Sequence, residues 1–474
     1  DMIIEDQNRL NTAATDSSLV DLTQISMPDL LNLQRQAFIK EGHVSYKTRI
    51  DRIDRCIALL VDNQDVLCEA INSDFGCRDP LVTQMSDLLT SIAALKNVKK
   101  NLKHWMKTER RKSPFPMNII GGRSSVHYQP KGIVGIMSPW NVPVNVIFSP
   151  LADVLGAGNR AMIKPSEFTP ATSNLVAKLI SQYFDSSEIS VVKGDGAVGA
   201  EFSALPFDHL MFTGSSAIGK LVMAEAAKNL TPVTLELGGK SPLIIFPDTP
   251  VDRAVSGAML ANFYTQGEVC TNGTRVFVHE DLYEDFIAEL KQRTQAMIIG
   301  DPTHPDTQVG ALISEQHLNK VMGYIQAGID AGATLLCGGK RVTENGLGKG
   351  AFVQPTVFIN CDDNMPQVRD EIFGPVMSVL TFTDEAEVIR RANDTDYGLA
   401  AGVFTQDLSR ASRVINQLEA GICWINTWGS SPAEMPVGGY KQSGIGRENG
   451  VETLKHFTQI KSVFVETGEL ERPY

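Results

Sequence analysis

Gly132-Ile133-Val134-Gly135-Ile136-Met137-Ser138-Pro139 holds five apolar positions between a glycine and a Ser-Pro turn. A run that short suits a strand buried on both faces. Similar runs follow at residues 161–163, 189–192, 210–212 and 233–235, with helical patterns between them. Short buried strands alternating with helices predict a parallel, doubly wound α/β sheet. A second series, at 243–246, 275–278, 377–382, 401–404 and 422–425, predicts another such unit. No internal repeat or low-complexity tract interrupts either series.

Before this alternation the chain reads differently. Residues 1–24 are polar and suit a loose tail. Ser26-Met27-Pro28-Asp29 then offers a cap, an early proline and a first-turn acid, the signature of a helix start. Leu30, Leu31, Leu33 and Phe38, then Ile50, Ile53, Leu59 and Leu60, recur at helical spacing, so the first hundred residues are predicted to be mostly helical. Thr108 to Lys112, with Pro114, Pro116, Gly121 and Gly122 and the alternating Val126 and Tyr128, predicts an extended hairpin outside the main core.

A length of 474 residues suggests about three units. The formal charge of -12 argues against a nucleic-acid partner. Seven scattered cysteines without close pairs read as reduced thiols in the cytoplasm, not as a disulfide framework or metal site. The first 25 residues lack the apolar core of a secretory signal. The most apolar stretch, 133–158, is broken by Pro139, Asn141, Pro143, Pro150 and Asp153, so no membrane span is expected.

Three runs carry candidate chemistry. Cys270 closes Phe263-Tyr264-Thr265-Gln266-Gly267-Glu268-Val269-Cys270 and precedes Thr271-Asn272-Gly273, a polar, glycine-bearing loop. A lone cysteine is more often a small buried hydrophobe, but a thiolate on such a loop can add to a carbonyl. Glu236, in Leu235-Glu236-Leu237-Gly238-Gly239-Lys240, is a base able to activate water, or alternatively the ion-pair partner of Lys240. Asn141, in Ser138-Pro139-Trp140-Asn141, offers an amide to an oxyanion, or is simply a turn residue.

Two more runs suggest a dinucleotide. Gly194-Asp195-Gly196-Ala197-Val198-Gly199 fits GxGxxG, a weak pattern that an ordinary turn also explains. Phe212-Thr213-Gly214-Ser215-Ser216-Ala217-Ile218-Gly219 leaves a strand and opens a helix, so free N–H groups and the helix dipole can face a pyrophosphate. Lys164-Pro165-Ser166-Glu167 adds a cation and a carboxylate within reach of ribose, or a solvated turn with its own ion pair.

Taken together these runs resemble the aldehyde dehydrogenase family, and the resemblance covers nearly the whole chain. It implies two doubly wound parallel-sheet domains and a small β oligomerisation arm. Residues 1–107 and 132–237 would form the NAD-binding domain and 238–445 the catalytic domain. The arm would comprise 108–131 and 455–474, with its second strand at 461–466. By resemblance Cys270 is the nucleophile, Glu236 the hydrolytic base, and Asn141 with the Cys270 N–H the oxyanion site. Glu448, in Ser443-Gly444-Ile445-Gly446-Arg447-Glu448, matches a proton-relay acid, its alternative being a surface helix acid. Lys164 and Glu167 would bind the adenosine ribose and Ser215 the phosphate, with Ser166, Gly194 and Gly214 completing the cofactor set. Glu371 and Phe373, in Glu371-Ile372-Phe373-Gly374-Pro375, would bind the nicotinamide ribose and pack beside it. A ribose-binding Glu167 favours NAD, while Lys164 and Lys220 leave NADP possible. No metal is implied.

The implied reaction passes through a thiohemiacetal and a thioester on Cys270 to a carboxylic acid. A coenzyme A-acylating enzyme is disfavoured by Glu236, and a non-catalytic relative by the intact triad of Cys270, Glu236 and Asn141. Residues 29–233, through Asp74-Phe75-Gly76 and Pro206-Phe207-Asp208-His209-Leu210, resemble coniferyl-aldehyde dehydrogenases. Residues 234–465, through Gly421-Ile422-Cys423-Trp424-Ile425-Asn426-Thr427-Trp428 and Met435-Pro436-Val437-Gly438-Gly439-Tyr440-Lys441, resemble betaine-aldehyde dehydrogenases. A mosaic chain is one explanation. A quaternary ammonium needs aromatic faces, and Trp428 supplies one. Asn141 is followed by Val142, Val144, Asn145, Val146 and Ile147, however, and Ser430 stands where the betaine pattern has Glu. The expectation is therefore a mostly apolar funnel of Val142, Asn145, Val269 and Trp428 for medium-chain aliphatic and aromatic aldehydes, betaine aldehyde being the alternative. The small-molecule aldehyde apart, the implied partner is a second copy, in a homodimer or homotetramer.

Overall fold

The computed structural model describes residues 25–76 and 78–468. The polar stretch 1–24, Cys77 and the end of the expected arm, 469–474, lie outside the described residues. Strand β1 (Ile133–Met137) is buried at all five positions. With β2 (Arg160–Lys164), β3 (Ile189–Val191), β4 (His209–Thr213) and β5 (Val233–Glu236) it forms a parallel sheet of order β5-β4-β1-β2-β3. The chain runs outward from β1 to β3, then returns to the other side of β1 at β4. A crevice therefore opens at the C-terminal ends of β1 and β4, where such sheets hold ligands.

The second sheet contains β6 (Pro242–Ile245), β7 (Arg275–His279), β8 (Thr334–Cys337), β9 (Thr356–Ile359), β10 (Val376–Phe382), β11 (Ala400–Phe404) and β12 (Ile422–Ile425). Its order is β8-β9-β10-β7-β6-β11-β12, parallel except for β8 against β9. Strands β8 and β9 are absent from the sequence expectation. Each is four residues long, and β8 is an edge strand whose first three positions are not buried, so neither presents a long apolar run.

The N-terminal helices behave as the sequence suggests. Ser26 caps the helix Met27–Glu41, its Oγ accepting from Asp29 N at 3.2 Å. The helices Tyr46–Asp62, Gln64–Phe75 and Thr90–Trp105 pour Ile53, Leu60, Ile71, Leu95 and Val98 into one core with Val134 and Ile136 of β1. Glu41 ties this layer to the sheet, its carboxylate lying 3.2 Å from Arg52 and 2.7 Å from Arg160.

Strand Arg123–Pro130 pairs antiparallel with Glu109–Arg111 on one side and Thr458–Val465 on the other. The last strand of this three-stranded arm begins three residues earlier than the expected 461–466 strand, within the expected arm segment 455–474. The arm carries exposed Phe115, Ile119, Ile460 and Phe464. The chain also returns to the first sheet sooner than the expected boundary at 445. Strand β13 (Gly444–Ile445) pairs antiparallel with β5, placing Gly444 opposite Glu236. The helix Gly450–His456 and the residue after it bury Leu454 and Phe457 in the first core.

Candidate functional site

Strand ends, loops and helix faces from both sheet layers meet in one cavity of about 550 Å³. Ten of the residues singled out by the sequence line it: Cys270, Glu236, Asn141, Glu448, Val142, Asn145, Gly214, Ser215, Glu371 and Phe373.

Each arrives by a local cause. Helix α3 (Val251–Phe263), taking α1 as Asn145–Gly156 and α2 as Ser216–Ala227, stops at Phe263, and the backbone turns left-handed at Thr265 (φ 49) and Gln266 (φ 57). Gly267 follows at φ +74, where a Cβ would collide with the Gly374 carbonyl. Only glycine fits that approach. The turn projects Cys270 into the cavity, and Gly273 N donating to Ala261 O (3.1 Å) closes the loop. Glu236 ends β5, its main chain held by β4 on one side and β13 on the other. Asn141 follows β1. Its Nδ2 donates to the Glu268 carbonyl at 3.2 Å, which couples the amide to the cysteine loop and leaves its second N–H for a ligand.

Charge is unevenly spread. Burial, then the carboxyls of Glu371, Glu236 and Glu448, pushes the Cys270 thiol up to about 12. Burial raises Glu448 to about 7. Burial, then the neighbouring Glu448 charge, lifts Glu236 well above the usual carboxylate range. Glu236 Oε1 is buried without a hydrogen-bond partner among the described residues. The Lys240 ammonium is equally unpartnered, so the alternative reading of Glu236 as its ion-pair mate fails. Glu448 is only partly exposed and lines the cavity, which removes its alternative as a surface acid.

The cofactor half is built at the crevice. Ser215 caps α2, accepting from Ile218 N at 3.3 Å, so the start of this twelve-residue helix faces the cavity beside Gly214. Thr213 Oγ1, next to it, is buried and unpartnered. Lys164 and Glu167, at the end of β2, form an ion pair of 3.1 Å, with Ser166 Oγ accepting from Phe168 N. Gly199, in the run that begins at Gly194, stands where an added Cβ would come within 3.9 Å of the Lys164 side chain. Glu371 accepts from Gly239 N at 3.3 Å. The Phe373 ring stands edge-on to Trp140, centroids 5.4 Å apart. A helix N-terminus, two carboxylates near opposite ends and an aromatic pair together fit a dinucleotide. No group of three metal-ligating side chains occurs among the described residues.

Not every expectation converges. Trp428 does not line the cavity: it is buried, with its ring 4.8 Å from that of Trp424 and packed over Gly273. Val269 faces a small void behind Cys270. Lys164, Ser166, Glu167 and Gly194 stand outside the cavity lining, at the adjoining strand ends.

The structure also adds residues that local motifs do not reveal. His317 Nε2 lies 2.6 Å from the Phe373 carbonyl, and burial lowers its pKa. Asp87 Oδ1 accepts from Val144 N (2.9 Å) and Asn145 N (3.1 Å). Arg78 donates to the Asn141 carbonyl at 2.7 Å. Asp87 beside Leu88 and Leu89 is an acid in an apolar helical run, the one signal that sequence offered.

Known proteins resemble this chain over most of its length. The model of the aldehyde dehydrogenase family matches residues 22–463. The chain is 59% identical over 348 residues to a betaine aldehyde dehydrogenase of Vibrio vulnificus strain CMCP6, covering 73% of this chain and 72% of that protein. Among solved structures, a betaine aldehyde dehydrogenase variant of Staphylococcus aureus in complex with NAD+ superposes with a TM-score of 0.88 at 33% identity, over 93% of this chain and 90% of that one. The NAD+ complex of an aldehyde dehydrogenase from Bacillus cereus gives 0.86 at 34%, over 92% and 88%.

Proposed function

The chain belongs to the aldehyde dehydrogenase family, and from that premise we propose that it oxidises betaine aldehyde to the carboxylic acid with NAD. The convergence of Cys270, Glu236 and Asn141 on one cavity carries the reaction class. The Vibrio relatives support the substrate.

Cys270 loses its thiol proton to solvent, and the thiolate attacks the aldehyde carbon to form a thiohemiacetal oxyanion. The free N–H of Asn141 and the Cys270 main-chain N–H hold the oxyanion. NAD, when bound, accepts the hydride as the thiohemiacetal becomes a thioester. Glu236 then takes a proton from water, which cleaves the thioester, and Glu448 receives that proton in turn. Lys164 and Glu167 would hold the adenosine ribose, the start of α2 with Ser215 the pyrophosphate, and Glu371 the nicotinamide ribose. Glu167 disfavours the extra phosphate of NADP.

Glu236, Glu371 and Glu448 line the cavity together with Lys320, and where ionised their carboxylates outnumber it, which suits a cationic aldehyde. A second reading has its own support. The wall is formed by Ala93, Ala94, Val142, Val146, Pro432 and Ala433, and Trp428 is withdrawn from it, which suits medium-chain aliphatic or aromatic aldehydes. Turnover of betaine aldehyde, hexanal and benzaldehyde separates the two: higher kcat/KM for hexanal or benzaldehyde defeats the first reading. A thioester adduct on Cys270, weighed in mid-turnover, tests the chemistry, and acyl-CoA release on adding coenzyme A would replace it with transfer.

The exposed apolar arm supports a homodimer or homotetramer. The six described cysteines are all free, which supports a reducing, cytoplasmic setting, and no described helix is long and apolar enough to cross a membrane. A mosaic origin is also a proposal. The 348-residue match is longer than residues 234–474 and so crosses the boundary at 234.

A further inference from the structure

Behind the catalytic amide lies a buried charged cluster that the reaction as written does not use. Arg78 follows the helix Gln64–Phe75, its main-chain N–H donating to Asn72 Oδ1 at 2.6 Å. Its side chain is 3% exposed. One guanidinium nitrogen, Nη1, reaches the Asn141 carbonyl at 2.7 Å, and the guanidinium carbon stands 4.5 Å from the centroid of the Phe75 ring. Nε and Nη2 are buried and have no partner among the described residues.

Two buried acids flank this cation. Asp87 holds the first turn of α1 through Val144 N and Asn145 N, and its second oxygen is unpartnered. Glu268 accepts from Ile313 N at 3.1 Å through Oε2, and its Oε1 is unpartnered. Both carboxyls feel the Arg78 charge, which opposes the upward push of burial on each. The same Glu268 supplies the main-chain carbonyl that receives Asn141 Nδ2.

Asn141 is thus gripped at two points, its backbone carbonyl by Arg78 and one side-chain N–H by Glu268. The loop carrying it is held by Asp87 one turn further on. We propose that Arg78 is a positioning residue for the oxyanion-binding amide, its planar guanidinium fixing the Asn141 backbone while compensating the two acids that anchor the neighbouring segments. A lysine is a poor substitute: it offers a compact, strongly hydrated point charge on a flexible stem in place of a planar guanidinium lying over the Phe75 ring. This role rests on Asn141 holding the oxyanion, as proposed above.

The test uses the full-length enzyme with NAD and whichever aldehyde the wild type turns over. Arg78→Lys is expected to lower kcat on the order of 10–100-fold, the range for a displaced catalytic group. KM for NAD stays within about twofold, the remaining uncertainty of an uncoupled site. Alkylation of Cys270 by iodoacetamide proceeds at the wild-type rate, because that displacement develops no oxyanion. Arg78→Met, which strands two buried acids, is read by its melting temperature, and Arg78→Lys keeps the question open to kinetics if it unfolds.

The deciding measurement is coupling. In an Asn141→Ala background, Arg78→Lys is expected to change kcat by less than about twofold, since the amide it positions is gone. Full losses that multiply in the double variant overturn the proposal, as does a fall in alkylation rate that tracks kcat. Wild-type protein that oxidises no aldehyde removes the underlying reading and this role with it. An active wild type with an unaffected Arg78→Lys removes this role alone.

Discussion

Gly238 lies directly beneath the Glu371 carboxylate: a Cβ there would fall inside the contact distance of Oε2. Glycine at this position makes room for the acid, and the next residue, Gly239, hydrogen-bonds it. Gly238→Ala should therefore push Glu371 out of place without touching Cys270. A hydrogen bond to a charged group contributes about 1.5–3 kcal/mol, so NAD affinity should fall on the order of tenfold or more. Titration of the folded variant with NAD checks this. Unaltered affinity would remove Glu371 from the cofactor site.

The Cys270 thiol, pushed up to about 12 by burial and three carboxyls, is almost wholly protonated at neutral pH in the cofactor-free protein. Its alkylation rate follows the thiolate fraction and should climb about tenfold per pH unit between pH 7 and 9. Mass spectrometry of iodoacetamide-treated protein at stepped pH measures it, and a plateau below pH 8 would contradict the burial argument. Cys270→Ala should abolish NADH formation altogether. Residual turnover within about a thousandfold of wild type would move the nucleophile elsewhere.

Helix α1 lacks a cap of its own, because Val144 stands at its N-cap. Asp87, distant in sequence, takes that place by accepting from Val144 N and Asn145 N. Asp87→Ala should cost about 1–2 kcal/mol, the range for a lost N-cap, and Asp87→Asn less, since an acceptor remains. Urea midpoints of the two variants give the comparison, and equal losses would place the effect in packing instead of hydrogen bonding.

These residues also mark how far the sequence could be read. Cys270, Glu236, Asn141 and Glu371 were visible because each sits in a contiguous run whose local geometry, a strand end or a glycine turn, brings the side chain to the cavity. The strands of the first sheet were visible for a related reason: burial on both faces leaves unbroken apolar runs such as 133–137. Arg78, Asp87 and His317 were not, since what they do depends on partners over fifty residues away. Trp428 shows the converse error. Its motif suggested an exposed aromatic wall, but packing against Trp424 and Gly273 turns it into core.

Glu236 and Glu448 line one cavity, and each raises the cost of ionising the other, so they lose protons as a coupled pair. Hydrolysis needs Glu236 as carboxylate. Its pKa is raised, so the base is absent at low pH, and thioester cleavage should increase with pH over a range above that of an ordinary carboxylate. Glu448→Gln removes the like charge while keeping the side chain's shape. Glu236 then ionises more readily, and the ascending limb of the deacylation rate should move to lower pH. Burial is the larger cause of the shift and is untouched by the substitution, so the limb should stop above the ordinary carboxylate range. Glu236→Gln should flatten the limb and let the acyl-enzyme accumulate. Single-turnover deacylation of the two variants across pH 5–9 decides the matter: a limb that stays in place in Glu448→Gln would mean that the two acids do not share a field.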